Sequence, residues 1–290
     1  MAWAGQGHCS IRCAKPSHKR MGTPSHFSIV IPCFNEASRI AGSLATLDRW
    51  FGSAAEILIV DDGSSDETAL NAEAFASTHT NVHVVRLTSN SGKGKAIRTA
   101  IPLAQCDFVL LMDADLAYDR ESVTRVLDAL ATADMVAGNR RHAASRYSVP
   151  VNLFGFLYRR HLVGLAFNAF VSMLLQIGLR DTQCGLKGFR REALERVGRS
   201  LTADGFAIDV EMLVVARALG LRVSDVPVHV TYHSAKSSVR LIRSGTSMAA
   251  AVLRIAWRRA SGRYSPARVG ASAARSQPKP AGRSEEESAR

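Results

Sequence analysis

The stretches ILIVDDGSSDET, residues 57–68, and FVLLMDADLAYD, residues 108–119, each carry an apolar run straight into a cluster of carboxylates. Short runs that are apolar at every position and end in Asp, Gly or Ser read as strands buried on both faces, because a half-exposed strand alternates instead. Working outward, FSIVIPC at 27–33, VHVVRL at 82–87 and MVAGN at 135–139 give three more. Between them lie segments with helical spacing: EASRIAGSLATLDRW, with Ile40, Leu44 and Leu47 on one face, residues 66–77, and GKGKAIRTAIPLA from Gly92. Strands alternating with helices predict an α/β fold with a mostly parallel central sheet covered by helices. Ligands of such sheets bind beyond the carboxyl ends of the strands, where both acidic clusters fall.

Side chains i and i+2 of a strand share a face, so the spacing predicts that Asp113 and Asp115 leave the end of their run pointing together. Such a pair suits a hard divalent cation, Mg2+ or Mn2+. These ions keep waters and take their remaining oxygens from substrate phosphates. From the residues alone, a metal-bridged diphosphate is expected.

With 290 residues and 47% hydrophobic content, the chain can bury a large core. A formal net charge of +12 points to an anionic partner: nucleic acid, an anionic membrane surface or a phosphorylated substrate. The lysines and arginines are dispersed and no nucleic-acid recognition motif is present, which argues against the first. Five scattered cysteines predict a reducing, cytoplasmic setting, and the spacing of Cys9 and Cys13 with His8 and His18 fits no standard zinc site. Residues 1–26 read as a disordered extension with no apolar stretch of signal-peptide length, and Met21 is an alternative start. Residues 261–290, rich in Ser, Ala, Pro, Gly and Arg, read as a disordered tail, leaving 27–260 as one domain.

Residues 151–179 are strongly apolar, but Arg159, Arg160 and His161 interrupt them and leave no comfortable transmembrane span. Within this segment Asn168, Ser172 and Gln176 recur every four positions. That stripe reads either as satisfied polar groups on a core helix or as one face of a helix at a membrane interface or lipid groove. Residues 239–259 form a second amphipathic helix, mixing Leu241, Met248, Leu253 and Trp257 with Arg240, Arg243, Arg254, Arg258 and Arg259. It suits an anionic bilayer surface or a solvated charged face. GKGK at 92–95 lacks Walker A spacing, so Lys93 and Lys95 either approach a nucleotide or open a solvated helix.

PCFNEASRI at 32–40, IVDDGSSDET at 59–68, NSGKGKAIR at 90–98, LLMDADL at 110–116, DTQCGLKGF at 181–189 and IDVEML at 208–213 stand in the order found in inverting GT-A glycosyltransferases of family 2. The series resembles most the polyprenyl-phosphate and dolichyl-phosphate sugar transferases, and DTQCG is similar to the β-glucosyltransferase branch. The resemblance runs from about Phe27 to Lys236.

The resemblance implies a GT-A nucleotide-diphospho-sugar transferase fold with a donor-nucleotide pocket of Pro32, Phe34, Glu36, Asp61 or Asp62, and Lys93. It makes Asp113 and Asp115 the DXD metal motif for Mg2+ or Mn2+, with Asp115 the direct ligand. Asp181, Gln183 and Gly185 are implied on the donor-sugar side, Asp209 and Glu211 near the same sugar, and Arg140 and Arg160 at an acceptor phosphate. Asp113, Asp115, Asp181 and Asp209 form the implied catalytic set. Cys184 has no legible triad partner.

The implied activity is inverting transfer of a hexose, glucose foremost, from a nucleotide sugar such as UDP-glucose to a polyprenyl phosphate. The enzyme would work as a peripheral protein at the cytoplasmic face of the membrane. GDP-mannose is the alternative donor. A hydroxyl acceptor is the alternative class, and it would require Asp209, Glu211 or Asp204 as a base. Two departures from the family pattern stand out: Phe206 precedes IDVE where Trp is usual, and SAKSSVRL, with Lys236, stands where the family has GSK as a diphosphate contact.

Overall fold

The computed structural model describes residues 26–150, 154–232 and 241–266, with 154–163 and 241–246 described by backbone alone. Lys236, Cys9 and Cys13 lie outside the described residues.

Strands β1 (Phe27–Cys33), β2 (Ala55–Asp61), β3 (Val82–Arg86) and β4 (Phe108–Leu111) alternate with helices α1 (Ile40–Phe51), α2 (Thr68–Ala76) and α3 (Lys93–Ala100). Helix α4 (Arg120–Ala129), β5 (Met135–Asn139), β6 (Arg146–Ser148) and α5 (Phe154–Leu175) follow. Then come β7 (Lys187–Arg190), α6 (Arg191–Gly198), α7 (Ile208–Ala218), β8 (Val223–Pro227), β9 (His229–Thr231) and α8 (Leu241–Ala260). Seven strands form one sheet in the order β3-β2-β1-β4-β7-β5-β8, and β6 and β9 pair separately.

The runs of β1, β2, β4 and β5 are buried on both faces, as their pattern predicts, whereas β3, at the edge of the sheet, keeps only Val82 fully buried. In β1, Val30 joins the core on one side of the sheet with Leu58, Val60, Val109 and Leu111. Its neighbours Ile29 and Ile31 join the other core, with Ile57, Ile59, Leu110 and the fully buried Ile40, Leu44 and Leu47 of α1. Period-2 alternation divides these central strands between two hydrophobic layers, and the polar Ser28 of β1 and Glu56 of β2 are bonded to each other.

The sheet departs from parallel at one strand. β7 runs antiparallel to both β4 and β5, with Lys187 opposite Leu111 and Ala137. This inversion brings the loop before β7 to the same sheet end as the loop after β4.

One expectation is corrected, and one open alternative is decided for Asn168. Asp113 and Asp115 do not leave a strand: β4 ends at Leu111, and the pair sits on a turn closed by Leu116 N donating to Asp113 O (3.2 Å). Leu116 has φ 44°, left-handed backbone that side chains rarely adopt. The i, i+2 rule therefore does not set their directions. On α5 the polar stripe is not one functional face. Buried Asn168 gives its amide to Arg180 O (2.9 Å) and accepts from Thr182 Oγ1 (3.0 Å), while Gln176 lies past the helix end with φ 44°. The satisfied-core reading holds for Asn168, whose amide pins the chain just before Gln183.

Candidate active site

The loop after β1 and the loop after β2 are laced together. Asn35 N donates to Ser64 Oγ (2.9 Å), Ser65 N to Asn35 Oδ1 (3.0 Å), and Glu36 N to Thr68 Oγ1 (2.7 Å). Asn35 takes φ 55°, which asparagine tolerates better than most residues. Pro32, Phe34 and Glu36 are thereby held half-buried beside Asp61 and Asp62. Asp61 accepts from Ser64 N (3.3 Å) and lies 3.7 Å from Arg86 Nε. Asp62 braces the turn before α3: its two oxygens accept from Ser91 N (2.8 Å) and Gly92 N (2.7 Å).

That turn aims Lys93 inward. Gly94 N donates to Asp204 O (2.6 Å), and a Cβ at Gly94 would stand 2.0 Å from Ala203 O, so the GKG segment lies flat against the loop at 202–205. Arg98 secures the same loop through Ala203 O (2.5 Å) and a bond to Asp204. Lys95 is exposed, as for a solvated helix start, whereas the Lys93 side chain is only 11% exposed.

Lys93 Nζ lies 2.8 Å from Asp113 Oδ1 and 2.9 Å from Asp209 Oδ2. The other oxygen of Asp209 lies 2.7 Å from Lys187 Nζ, which also donates to Cys184 O (2.5 Å). Burial opposes the Lys93 charge, but Asp113 and Asp209 together raise its pKa. Burial also pushes Asp209 upward, and the charges of Lys187 and Lys93 outweigh it and bring its pKa down to about 2. A carboxylate held this way is a poor general base near neutral pH.

A second pair stands on the DTQCG loop. Arg140 grips the buried Asp181 with Nε (2.7 Å), Nη2 (2.9 Å) and its backbone N (3.0 Å). Burial works against the Asp181 charge, and Arg140 overcomes it and holds the carboxyl below its ordinary range. Part of the Arg140 guanidinium, expected at an acceptor phosphate, is thus already engaged. Arg160 lies on α5, and its side chain is outside what the structure describes. Gln183 donates its backbone N to Asp181 (3.2 Å), and its side chain lies 3.8 Å from Met248 Sδ. Cys184 is buried and its thiol is pushed up to about 11 by burial and Asp181, so it is no nucleophile.

Glu211, grouped with Asp209 in the sequence, faces a different way. It is fully buried and accepts from Thr202 N (2.8 Å), Thr202 Oγ1 (2.8 Å), Ala203 N (2.7 Å) and Tyr264 OH (2.7 Å). Its carboxylate fastens the 202–205 loop and, through the buried Tyr264, the turn after α8, so the start of the segment expected to be a disordered tail is packed on the domain. Asp204 has a side chain 65% exposed and pairs with Arg98.

Asp113 is half-buried and Asp115 exposed, and among the described residues no group of three or more His, Cys, Asp and Glu could hold a metal. Two carboxylates on an open turn fit an octahedral oxygen-loving cation that completes its shell with water and phosphate, and do not fit a closed protein cage. Gly185 adds to the fit: a Cβ there would stand 2.0 Å from Asp113 Oδ2, so glycine alone leaves that oxygen its place.

A cleft of about 430 Å³ opens between residues 202–207 and α8, lined by Phe206, Met248, Ile255, Trp257, Arg254 and Arg258 among others. Leu253 (53% exposed), Trp257 (58%) and Phe206 (42%) present apolar surface beside it. No helix among the described residues is long and apolar enough to cross a membrane.

The mostly parallel seven-stranded sheet with its covering helices resembles the GT-A architecture of glycosyltransferases. Glucosyl-3-phosphoglycerate synthase from Mycobacterium tuberculosis, solved with Mn2+ and uridine-diphosphate-glucose, superposes with a TM-score of 0.57 at 21% identity, covering 81% of this chain and 79% of that one. The family model described as "Glycosyl transferase family 2" matches residues 28–198, and the chain belongs to that family, a hexosyltransferase. It is 32% identical over 221 residues to the dolichyl-phosphate beta-glucosyltransferase of Homo sapiens (70% of this chain, 67% of that one). It is 29% identical over 248 residues to the enzyme of that name from Dictyostelium discoideum (80% and 74%). Across the relatives of that name, the matched stretch spans 62% to 74% of their length.

The residue that sequence reasoning missed is Lys187. Its signal was a lysine inside an apolar and glycine run directly after DTQCG.

Proposed function

We propose that this enzyme transfers a hexose, glucose foremost, from a nucleoside-diphosphate sugar to a polyprenyl phosphate, with inversion at the anomeric carbon. The observation that carries the lipid acceptor is the cleft. One wall is an exposed apolar and basic face of α8, and the other is the loop that holds Lys93 in place. The names of the relatives support the same reading.

Pro32, Phe34 and Glu36, with Asp61 and Asp62, wall the nucleotide. Asp115 and Asp113 would hold Mg2+ or Mn2+, which supplies Lewis-acid assistance to departure of the nucleoside diphosphate. Lys93 adds a second positive charge at the same place. Asp181, Gln183 and Gly185 face the donor sugar, and Asp209 acts there through Lys93. An acceptor phosphate is ionised near pH 7, so displacement needs no strong base, in keeping with an Asp209 that cannot serve as one. Approach of two anions needs cations instead, supplied by Arg160 and the part of Arg140 that Asp181 leaves unused. The enzyme works peripherally, at the anionic cytoplasmic face of a membrane.

Radiolabelled UDP-glucose and GDP-mannose are offered with Mn2+ or Mg2+ and a short-chain polyprenyl phosphate. Label passing from UDP-glucose into the lipid phase supports the reading. Transfer from GDP-mannose alone replaces the sugar, and label reaching only water-soluble hydroxyl acceptors overturns the lipid-phosphate acceptor.

A further inference from the structure

Lys187 is fully buried on β7, a central strand, where a charge is costly unless it is paired. A buried ion pair is a weak source of stability, and an apolar side chain of similar volume commonly does as well or better. Core packing alone therefore gives no reason for an ammonium here. Its contacts give one. Nζ binds Cys184 O at 2.5 Å, one residue before Gly185, and Asp209 Oδ1 at 2.7 Å. Asp209 Oδ2 in turn binds Lys93, and Lys93 binds Asp113 Oδ1.

The four side chains form an alternating row, Lys187, Asp209, Lys93, Asp113, running from the interior of the sheet to its open end. Each oxygen of Asp209 has one ammonium. If Lys187 were uncharged, the buried Asp209 would have Lys93 as its only neighbouring counter-charge in the row and would draw it away from Asp113.

We propose that Lys187 is a positioning residue for the donor: by occupying one oxygen of Asp209 it keeps Lys93 shared with Asp113, at the place where the diphosphate binds. The proposal rests on the donor reading given above. Lys187 touches no substrate; it acts through Asp209 and Lys93.

The test is a double-mutant cycle read by calorimetry of UDP binding in the presence of Mn2+, with GDP in parallel. The proteins are the wild type, Lys187→Met, Lys93→Met and the double variant. Lys187→Met is expected to weaken nucleotide binding about tenfold in the wild-type background and less than about threefold when Lys93 is already Met, because contacting groups couple and separate ones add. Equal factors in the two backgrounds would overturn the proposal, since Lys187 would then act on the fold alone. If Lys187→Met does not fold, Asp209→Asn takes its place, keeping the shape while removing the charge that links the two lysines, with the same two outcomes. A wild-type protein that binds neither nucleotide with Mn2+ defeats the donor reading itself, and this proposal with it.

Discussion

Gly185 and Asp113 share one space: a Cβ on Gly185 would stand 2.0 Å from Asp113 Oδ2, although the two residues belong to different loops. The contact puts the DTQCG loop against the acidic turn, and it explains a glycine there by steric need. Gly185→Ala is expected to rotate the half-exposed Asp113 carboxylate and to cut turnover about a hundredfold, the usual cost of a 1 Å misplacement in a reacting site. Steady-state kinetics at varied Mn2+ checks this, and unchanged turnover would remove the contact from the mechanism.

Asp115 is exposed on the turn after β4 and accepts from Ala117 N (3.3 Å), so its replacement removes no buried packing. Asp115→Ala is expected to lower turnover at least about a thousandfold, in line with the several kcal/mol a catalytic metal supplies, while the melting temperature holds. A variant that stays active and metal-dependent would defeat the metal assignment.

The Arg140 guanidinium neutralises the buried Asp181 through two hydrogen bonds, beside a third from its backbone N. Arg140→Ala leaves that carboxylate its two backbone N–H donors but removes its counter-charge, and is expected to cost roughly 3–5 kcal/mol of stability, in addition to any effect on the acceptor. Urea denaturation of Arg140→Ala and of Arg140→Ala with Asp181→Ala checks it. The double variant should recover much of the loss.

Asp209 has a folded pKa of about 2 against an ordinary 3.8. A depressed carboxylate stabilises the fold above its unfolded pKa, and that contribution disappears as pH falls through the folded one. The stability gap between wild type and Asp209→Asn should therefore be constant above about pH 4 and shrink between about pH 4 and pH 2. Denaturant melts at stepped pH measure the gap, and one that does not narrow there would refute the paired state of Asp209.

Trp257 and Leu253 offer apolar surface on α8 next to Arg254 and Arg258. Co-sedimentation with vesicles containing anionic lipid is expected to exceed that with neutral vesicles, to weaken with salt, and to fall at least about fivefold in Trp257→Asp, as for a basic amphipathic helix. Equal sedimentation with both vesicle types would rule out this face as the membrane contact.

Much of the sheet, and which loops lie at its open end, was legible in order along the chain. The apolar runs at 27–33, 57–60 and 108–112 marked strands because both faces of a covered sheet are hydrophobic, and the carboxylates after them marked the open end of the sheet. The directions of Asp113 and Asp115 were not legible, because a turn with Leu116 in left-handed backbone replaced the strand geometry that the spacing assumed. Glu211 was misleading for a related reason. Two residues from Asp209 on a helix, it points elsewhere, toward Tyr264 and Thr202.

The sequence by itself determined the α/β layering, the family and the place of the acidic turn, since these follow from local periodicity and ordered motifs. Only the tertiary structure decided which charges meet. Lys93 and Asp209 are 116 residues apart, and Lys187 reaches Asp209 from a strand whose antiparallel course nothing in its four residues announces. A buried ion pair depends on distances of a few ångströms and on the absence of water, and both are set by how the loops close over the sheet.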